Sequence, residues 1–240
     1  MAARDPALIF DLDGTLVDSL ADLRSAINRL LAQLRLQPVS LAEARVMLGD
    51  GANAFVQRAV EARGLAPDPA EQARLTRRYL EFYNAQPVLE TRPYPGVLES
   101  LERLDRLGYA CAVCTNKPKH AARALLEALD LARFFGAVVC PEDVRNRKPH
   151  PDHLAASIAA LGHDPKTAVM IGDSANDVRP ARALGIPVVV MAYGYSLEAA
   201  QSLGADLVLE RFADLEAALA EPPWSRAQSK IGSDRINLIP

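Results

Sequence analysis

The chain has 240 residues, of which 50% are hydrophobic and 24% are charged, and its formal net charge is −3. This composition is typical of a folded globular protein and excludes an intrinsically disordered chain. An isoelectric point near 5.8, without a cluster of basic residues, argues against a nucleic-acid-binding protein.

The chain begins with a short apolar run that predicts a strand. Ala7–Leu12 form this run, which leads directly into the acidic cluster Asp11-Leu-Asp13-Gly-Thr15. The run is too short for a signal peptide, and carboxylates follow it at once. No other apolar run approaches the roughly 20 residues of a membrane span, and three cysteines cannot form a disulfide framework. We therefore expect a cytoplasmic protein that associates with no membrane.

Residues 17–90 predict an inserted helical domain. Leucine and isoleucine recur at helical spacing at positions 20, 23, 27, 30, 31 and 34, and residues 54–62 and 71–83 show a similar period. No strand is predicted from residue 18 to residue 90. We expect Asp18 and Ser19 to cap the first helix, and the prolines of Thr91–Gly96 predict an extended return linker.

Beyond the linker, strands and helices alternate. Strands are predicted at 109–114, 137–140, 167–171, 187–191 and 205–209, and helices at 96–107, 119–130, 151–161, 176–184 and 212–220. This alternation predicts a parallel sheet. The fold class is therefore α/β, with a Rossmann-like sheet core flanked by helices (residues 1–16 and 91–220) and a helical cap domain (17–90). Residues 221–240 predict a disordered tail, in which Trp224 makes a packing contact.

Polar residues follow four of the predicted strands. Because the carboxyl ends of parallel strands meet at one edge of a sheet, we expect these side chains to lie together. In chain order they are Asp11 and Asp13; Thr115 and Asn116; Lys148; and Asp173 and Asp177.

The chemistry of this set predicts a phosphoryl-transfer site. Four carboxylates near one point repel each other unless a cation compensates their charge, and all-oxygen ligation suits Mg²⁺. The charge of Lys148 and the hydroxyl of Thr115 suit phosphoryl oxygens rather than a metal. A carboxylate nucleophile, a cation, a lysine and a hydroxyl together favour phosphoryl transfer.

The same segments resemble the four signature motifs of the haloacid dehalogenase-like hydrolases. Phe10–Ser19, Cys114–Lys117, Lys148-Pro149 and Gly172–Asp177 are similar to these motifs in their order, and the resemblance extends to about residue 220. It implies a Mg²⁺-dependent phosphatase whose helical cap closes over the site and selects the substrate.

The resemblance also implies roles for individual residues. Asp11 would attack phosphorus to form an aspartyl-phosphate, and Asp13 would protonate the leaving alcohol and then deprotonate the hydrolytic water. Thr115 and the backbone or side chain of Asn116 would hold phosphoryl oxygens, and Lys148 would neutralise their charge.

For the metal, the resemblance implies a site made of carboxylates and one carbonyl. Mg²⁺ would be held by Asp11, by the backbone carbonyl of Asp13 and by Asp173, while Asp177 would orient a metal-bound water or Lys148. Members of the superfamily that cleave carbon–halogen bonds lack the second aspartate, so Asp13 favours phosphate monoesters.

A narrower resemblance connects the chain with bacterial phosphoglycolate phosphatases. It rests on residues 115–118, 148–151 and 172–177 and on Tyr193-Gly-Tyr195, and Gly49-Asp-Gly51 resembles the flexible loop near their substrate. It implies hydrolysis of 2-phosphoglycolate to glycolate and phosphate, a reaction of carbohydrate metabolism. The implied partner is a small phosphorylated metabolite, and we expect a monomer or a homodimer.

Other functions remain open at this stage. Within the superfamily they are a sugar-phosphate phosphatase, a pyrophosphatase and a phosphomutase. A phosphoacceptor signalling module of the response-regulator type also combines an acidic cluster with Thr and Lys on a parallel sheet. Such modules are shorter, lack a helical insert and do not carry the nucleophile after the first strand. A catalytically silent phospho-ligand-binding protein is a third class.

Two further patterns are interpreted as structural. Cys111 and Cys114 lie three residues apart on a strand, so their side chains should enter the core on opposite faces of the sheet. His150 and His153 have no third metal ligand nearby, and we expect them at the surface or at the start of a helix.

Overall fold

The computed structural model describes residues 6–86 and 88–221. Its strands are β1 (Ala7–Phe10), β2 (Val17–Asp18), β3 (Arg92–Pro93), β4 (Cys111–Cys114), β5 (Ala137–Val139), β6 (Ala168–Gly172), β7 (Val188–Met191) and β8 (Leu207–Leu209). Its helices are α1 (Leu20–Gln33), α2 (Leu41–Met47), α3 (Gly51–Glu61), α4 (Pro69–Ala85), α5 (Val97–Arg106), α6 (Lys119–Ala128), α7 (Pro151–Ala160), α8 (Ala175–Leu184) and α9 (Leu215–Ala220). The predicted tail beyond residue 221, with Trp224, lies outside the described residues.

Six parallel strands form the main sheet in the order β5-β4-β1-β6-β7-β8. The first strand lies in the middle, with Leu8 opposite Cys111 of β4 on one side and Val169 of β6 on the other. Its four residues are buried on both faces, which explains why it reads as a continuous apolar run. The α/β class is confirmed, although β1 ends at Phe10 and β4 begins at Cys111, two residues inside their predicted bounds.

Helices cover both faces of this sheet. Residues of α5, α6 and α9 pack in one apolar cluster with Leu8 and Phe10, whereas α7 and α8 pack in another with Ala7 and Ile9. Cys111 belongs to the first cluster and Cys114 to the second, so the prediction that they face opposite ways is confirmed. None of the helices within the described ranges is long and apolar enough to cross a lipid bilayer.

The four helices α1–α4 have an apolar core of their own. It contains buried residues from each of them, such as Ile27, Ala44, Phe55 and Tyr79, and its contact with the sheet helices is through Ala121 of α6. Because this core is nearly separate from the sheet, we propose that residues 17–90 form the cap domain.

The prediction of no strand from residue 18 onward is wrong at its first position. The strand β2, which includes Asp18, pairs antiparallel with β3 in the return linker. Two residues per strand are too few to give an alternating pattern, so the sequence carries no periodic signal for this ladder.

Asp22 of α1 holds the return linker in place through hydrogen bonds. Its buried carboxylate accepts hydrogen bonds from the backbone N–H groups of Leu89, Glu90 and Thr91, and from the Thr91 hydroxyl at 2.6 Å. Burial raises the pKa of Asp22, but these hydrogen bonds outweigh it and hold the pKa below its usual value. The linker is therefore tied to the first cap helix beside the β2–β3 ladder.

Candidate active site

Lys148 stands between two of the predicted carboxylates at the carboxyl edge of the sheet. Its Nζ atom lies 2.9 Å from Oδ1 of Asp11 and 2.6 Å from Oδ1 of Asp177. The Lys148 and Asp177 side chains are 1% and 0% exposed, so these charges interact with little screening by water. Asp11 follows β1 and Asp177 lies in α8, so the fold joins residues from distant parts of the chain.

Three carboxylates converge closely enough to share one cation. Asp11, Asp173 and Asp177 each offer an oxygen atom, and these atoms lie within 4.8 Å of one another. Burial, followed by the charges of Asp177 and Asp11, raises the pKa of Asp173 well above its ordinary value. Burial also raises the pKa of Asp11 to about 7, although the charge of Lys148 opposes this shift. A divalent cation would compensate this excess of negative charge, so the donor set fits a hard metal ion.

Two glycines make room for Asp173. A Cβ atom on Gly194 would lie 2.1 Å from the Cβ of Asp173, and one on Gly14, where φ is +90°, would lie 2.5 Å from its Oδ2. The backbone N–H of Tyr195 donates to the same Oδ2 at 2.6 Å. The Gly-Thr of the first motif and the Tyr-Gly-Tyr segment therefore position this carboxylate from two sides.

Asp177 both caps a helix and orients Lys148. Its Oδ2 accepts from the backbone N–H groups of Asp173 and Ser174, both at 3.1 Å, and from the Ser174 hydroxyl at 3.0 Å. These bonds form a capping box at the start of α8, while Oδ1 accepts from Lys148. With Oδ2 engaged by three donors, Asp177 holds the turn that presents Asp173.

Asp13 is not part of this carboxylate cluster and pairs with Lys117. The Nζ atom of Lys117 lies 2.9 and 3.0 Å from the two carboxylate oxygens of Asp13. Burial lowers the pKa of Lys117, but the negative charge of Asp13 outweighs it and raises the pKa above its usual value. Lys117 was not predicted as a site residue. Its position directly after Thr115 and Asn116, at the end of a strand, could have indicated that it belongs to the site.

The expected capping by Ser19 is wrong. Ser19 occupies the N-cap position of α1, but its hydroxyl donates to Oδ1 of Asp13 rather than capping the helix. Asp18 Oδ1 instead accepts from the backbone N–H of Leu20 at 3.2 Å. The serine hydroxyl donates to the Asp13 carboxylate, and hydrogen bonds to a charged acceptor are stronger than those between neutral groups. Asp13 is thus held by a serine and a lysine.

Thr115 and Asn116 lie at the end of β4 on the same edge. The hydroxyl oxygen of Thr115 accepts from the backbone N–H of Lys117 at 3.1 Å, which leaves its own O–H free to donate. The Asn116 side-chain amide donates to the Lys148 carbonyl at 3.0 Å. Its Oδ1 is buried and has no hydrogen-bond partner in the described part of the chain.

Both histidines lie at the start of α7, one of the two places expected for them, but His153 is not at the surface. His150 is the N-cap of α7, as expected, but His153 is fully buried. Its Nδ1 accepts from the Lys148 backbone N–H at 3.2 Å, and its Nε2 lies 3.1 Å from the Val139 carbonyl. Burial, followed by the positive charge of Lys148, lowers the pKa of His153 to about 4, so the ring is neutral at pH 7. It positions the Lys148 loop.

A cavity of about 380 Å³ separates these residues from the helices of the cap. The loop Gly49–Gly51 borders it and is fixed to the sheet side: Asn176 donates to the Gly49 carbonyl at 2.8 Å, and Arg147 donates to the Asp50 carbonyl at 3.0 Å. The cavity volume suits a small metabolite. Cap side chains that line it include Leu23, Arg45, Leu48, Phe55, Tyr79 and Tyr83.

Without a divalent cation, we expect Asp11 to stabilise the folded protein at low pH and to lose this effect as the pH rises. Its pKa is about 7 in the folded chain against an ordinary 3.8, so the folded state retains a proton that the unfolded chain releases. The contribution is complete below about pH 4 and is lost as the pH passes about 7. Asn at position 11 does not titrate and provides the reference.

Urea unfolding in EDTA measures this effect. Between about pH 5 and pH 8, wild type should lose about 2–3 kcal/mol more of its free energy of unfolding than Asp11→Asn. Equal losses in the two proteins would show that Asp11 is ionised at both pH values.

Comparisons with known proteins agree with this geometry. Residues 8–191 match the family model described as haloacid dehalogenase-like hydrolase. A phosphoglycolate phosphatase of Caulobacter vibrioides is 45% identical over 212 residues, which are 88% of this chain and 89% of that protein. A phosphoglycolate phosphatase of Rhodospirillum rubrum is 45% identical over 239 residues, 98% of this chain and 96% of that protein.

Solved structures give the same result. A predicted phosphoglycolate phosphatase of Haemophilus somnus superposes with a TM-score of 0.85 and 31% identity, covering 91% of this chain and 99% of that one. The CbbY protein of Rhodobacter sphaeroides, solved with xylulose-(1,5)bisphosphate, superposes with a TM-score of 0.76 and 27% identity over 88% and 96% of the two chains.

Proposed function

Because the chain belongs to the haloacid dehalogenase-like hydrolase family, we propose that it is a Mg²⁺-dependent phosphatase that converts 2-phosphoglycolate to glycolate and phosphate. The observation that carries this proposal is the Asp11–Lys148–Asp177 arrangement at the edge of a small cavity that Asp13 also lines. It combines a nucleophile, a buried positive charge and a candidate acid–base group. The phosphoglycolate phosphatases that resemble this chain at 45% identity support the substrate.

In the first step, a carboxylate oxygen of Asp11 attacks phosphorus and the bond to the ester oxygen breaks. The product is an aspartyl-phosphate on Asp11, and the alcohol leaves with a proton from Asp13. Water then attacks the phosphorus of this acyl phosphate and gives a proton to Asp13, while the bond between phosphorus and the Asp11 oxygen breaks. This step releases phosphate and restores the Asp11 carboxylate. Ser19 and Lys117 hold the Asp13 carboxylate in one orientation throughout.

Oxygen atoms of the phosphoryl group are held from the sheet side. The Thr115 hydroxyl can donate to one of them, and the Lys148 ammonium neutralises charge that spreads over them in the transition state. The Asn116 side chain is engaged with the Lys148 carbonyl, so we assign its backbone N–H, rather than its amide, to the phosphate.

Mg²⁺ would be held by the carboxylates of Asp11 and Asp173 and by the backbone carbonyl of Asp13. When bound, it supplies positive charge that offsets the repulsion between the phosphoryl group and the carboxylates. The raised pKa values of Asp11 and Asp173 support this assignment, because burial, followed by the neighbouring carboxylates, disfavours their charged forms unless a cation compensates them. Asp177 stays with Lys148 and the α8 turn.

The remaining properties follow from this function. We propose a cytoplasmic enzyme of carbohydrate metabolism that acts as a monomer or a homodimer on a small phosphorylated metabolite. The cap helices and the position of Asp11 after the first strand argue against a phosphoacceptor signalling module.

A panel of phosphate esters tests the substrate. We expect phosphate release from 2-phosphoglycolate with Mg²⁺, loss of release in EDTA, and a kcat/KM at least about tenfold above that for sugar phosphates, a sugar bisphosphate or pyrophosphate, which discriminating contacts commonly supply. If a sugar phosphate has a higher kcat/KM than 2-phosphoglycolate, the phosphatase chemistry stands and the proposed substrate is wrong. Metal-independent release would contradict the metal assignment.

A further inference from the structure

Lys117 and Tyr83 meet on the wall of the cavity beside Asp13. Lys117 follows β4 and Tyr83 lies in the cap helix α4, and both line the cavity. The Lys117 Nζ atom is 4.7 Å from the centroid of the Tyr83 ring. The two residues are 5% and 2% exposed, respectively, so a charge and a hydroxyl are buried together at the junction of cap and sheet.

Both groups retain hydrogen-bonding capacity. An ammonium has three N–H donors; Lys117 donates to the two carboxylate oxygens of Asp13, and its positive charge also approaches the Tyr83 side chain, which partly offsets the effect of burial on the pKa of Tyr83. The Tyr83 hydroxyl is buried and has no hydrogen-bond partner within the described ranges. Burial raises the pKa of Tyr83, so this hydroxyl stays protonated at neutral pH. An unpaired buried hydroxyl is costly unless a ligand satisfies it.

The position of the pair relative to Asp13 indicates which part of a ligand would reach it. Asp13 is assigned to the ester oxygen, and in 2-phosphoglycolate the carboxylate is separated from this oxygen by one carbon. A group beyond the ester oxygen therefore lies next to the ammonium that Asp13 contacts at 2.9 Å.

We propose that Lys117 and Tyr83 form a carboxylate subsite that selects phosphate esters with a second anionic group one carbon from the ester oxygen. This proposal rests on the proposed phosphatase function and assigns the residues that set its substrate class. An N–H of the Lys117 ammonium and the tyrosine hydroxyl would each donate to a carboxylate oxygen.

Lys148 also lines the cavity but is assigned to the phosphoryl group, and the structure makes the two lining arginines weaker candidates than Lys117. Arg45 already donates to the Gly194 carbonyl and bridges cap and sheet. Arg179 is exposed, so water screens its charge. Lys117 is more buried than either arginine, and it contacts Asp13, the residue assigned to the ester oxygen.

The test compares 2-phosphoglycolate with 2-hydroxyethyl phosphate, in which a neutral hydroxymethyl group replaces the carboxylate. The readout is the ratio of the two kcat/KM values. We expect Tyr83→Phe, which keeps the ring and its packing, to lower this ratio about tenfold. Lys117→Met should lower it about 100-fold, because it removes a charged donor. Lys119→Met, which replaces a partly exposed lysine paired with Asp143, is the matched control and should leave the ratio unchanged.

The ratio separates recognition from positioning. If Lys117 and Tyr83 only support Asp13, both substrates will slow equally and the ratio will stay constant, which would overturn the subsite. A wild-type enzyme that hydrolyses both esters without preferring the carboxylate would also overturn it, while the phosphatase function would stand. If the wild type with Mg²⁺ hydrolyses neither ester, the proposed function fails and the subsite fails with it.

Discussion

Replacing Asp11 by asparagine should lower phosphate release at least about 10⁴-fold, as expected for the loss of a nucleophile. The amide has nearly the shape of the carboxylate, and its oxygen can still accept from Lys148, which lies 2.9 Å from Oδ1. It lacks the negative charge and the nucleophilic oxygen that attack phosphorus. The loss should therefore fall on kcat and leave the fold intact.

Phosphate release with saturating 2-phosphoglycolate and Mg²⁺ measures this effect, and Asp105→Asn is a matched control. Asp105 is an exposed residue of α5, so its variant should keep wild-type activity. Acid quenching of the wild type during turnover should trap one phosphoryl group on the peptide that contains Asp11. Residual activity of Asp11→Asn above about one percent would exclude Asp11 as the nucleophile.

The sequence predicted the sheet because its signal is local. Each strand is a short apolar run between helical patterns, and β1 is buried along its whole length. Polar residues at the strand ends had to meet at one edge, since parallel strands deliver their ends together. The proximity of Asp11, Lys148, Asp173 and Asp177 in the structure has this origin.

Partners that depend on packing could not be predicted in this way. From the sequence alone, Ser19 could either cap the helix or donate to a carboxylate. The choice depends on how close Asp13 lies in the folded chain, which the sequence does not show. His153 lies at a helix start as expected, but its burial could not be predicted because nothing local shows that it lies between Lys148 and Val139. The β2–β3 ladder depends on a linker 74 positions away in the chain (92 − 18), which Asp22 fastens.

Lys148→Met should lower kcat/KM about 10³-fold and should also destabilise the fold when no cation is present. The substitution leaves the buried Asp177 carboxylate and the largely buried Asp11 carboxylate without the ammonium that lies between them. Removing one partner of a buried ion pair commonly costs about 3–5 kcal/mol. Urea unfolding in EDTA near pH 8 measures the loss, and Lys166→Met, an exposed lysine, is the control.

Mg²⁺ separates the two roles of Lys148. A divalent cation at the carboxylate cluster compensates part of the missing positive charge, so adding Mg²⁺ should restore much of the stability of Lys148→Met. Activity should stay low, because the cation cannot replace the ammonium that faces the phosphoryl oxygens. If Lys148 served the fold alone, the Mg²⁺ that restores stability would restore phosphate release as well. A variant that is stable with Mg²⁺ and still inactive would therefore show that the buried charge between Asp11 and Asp177 acts in the chemical step.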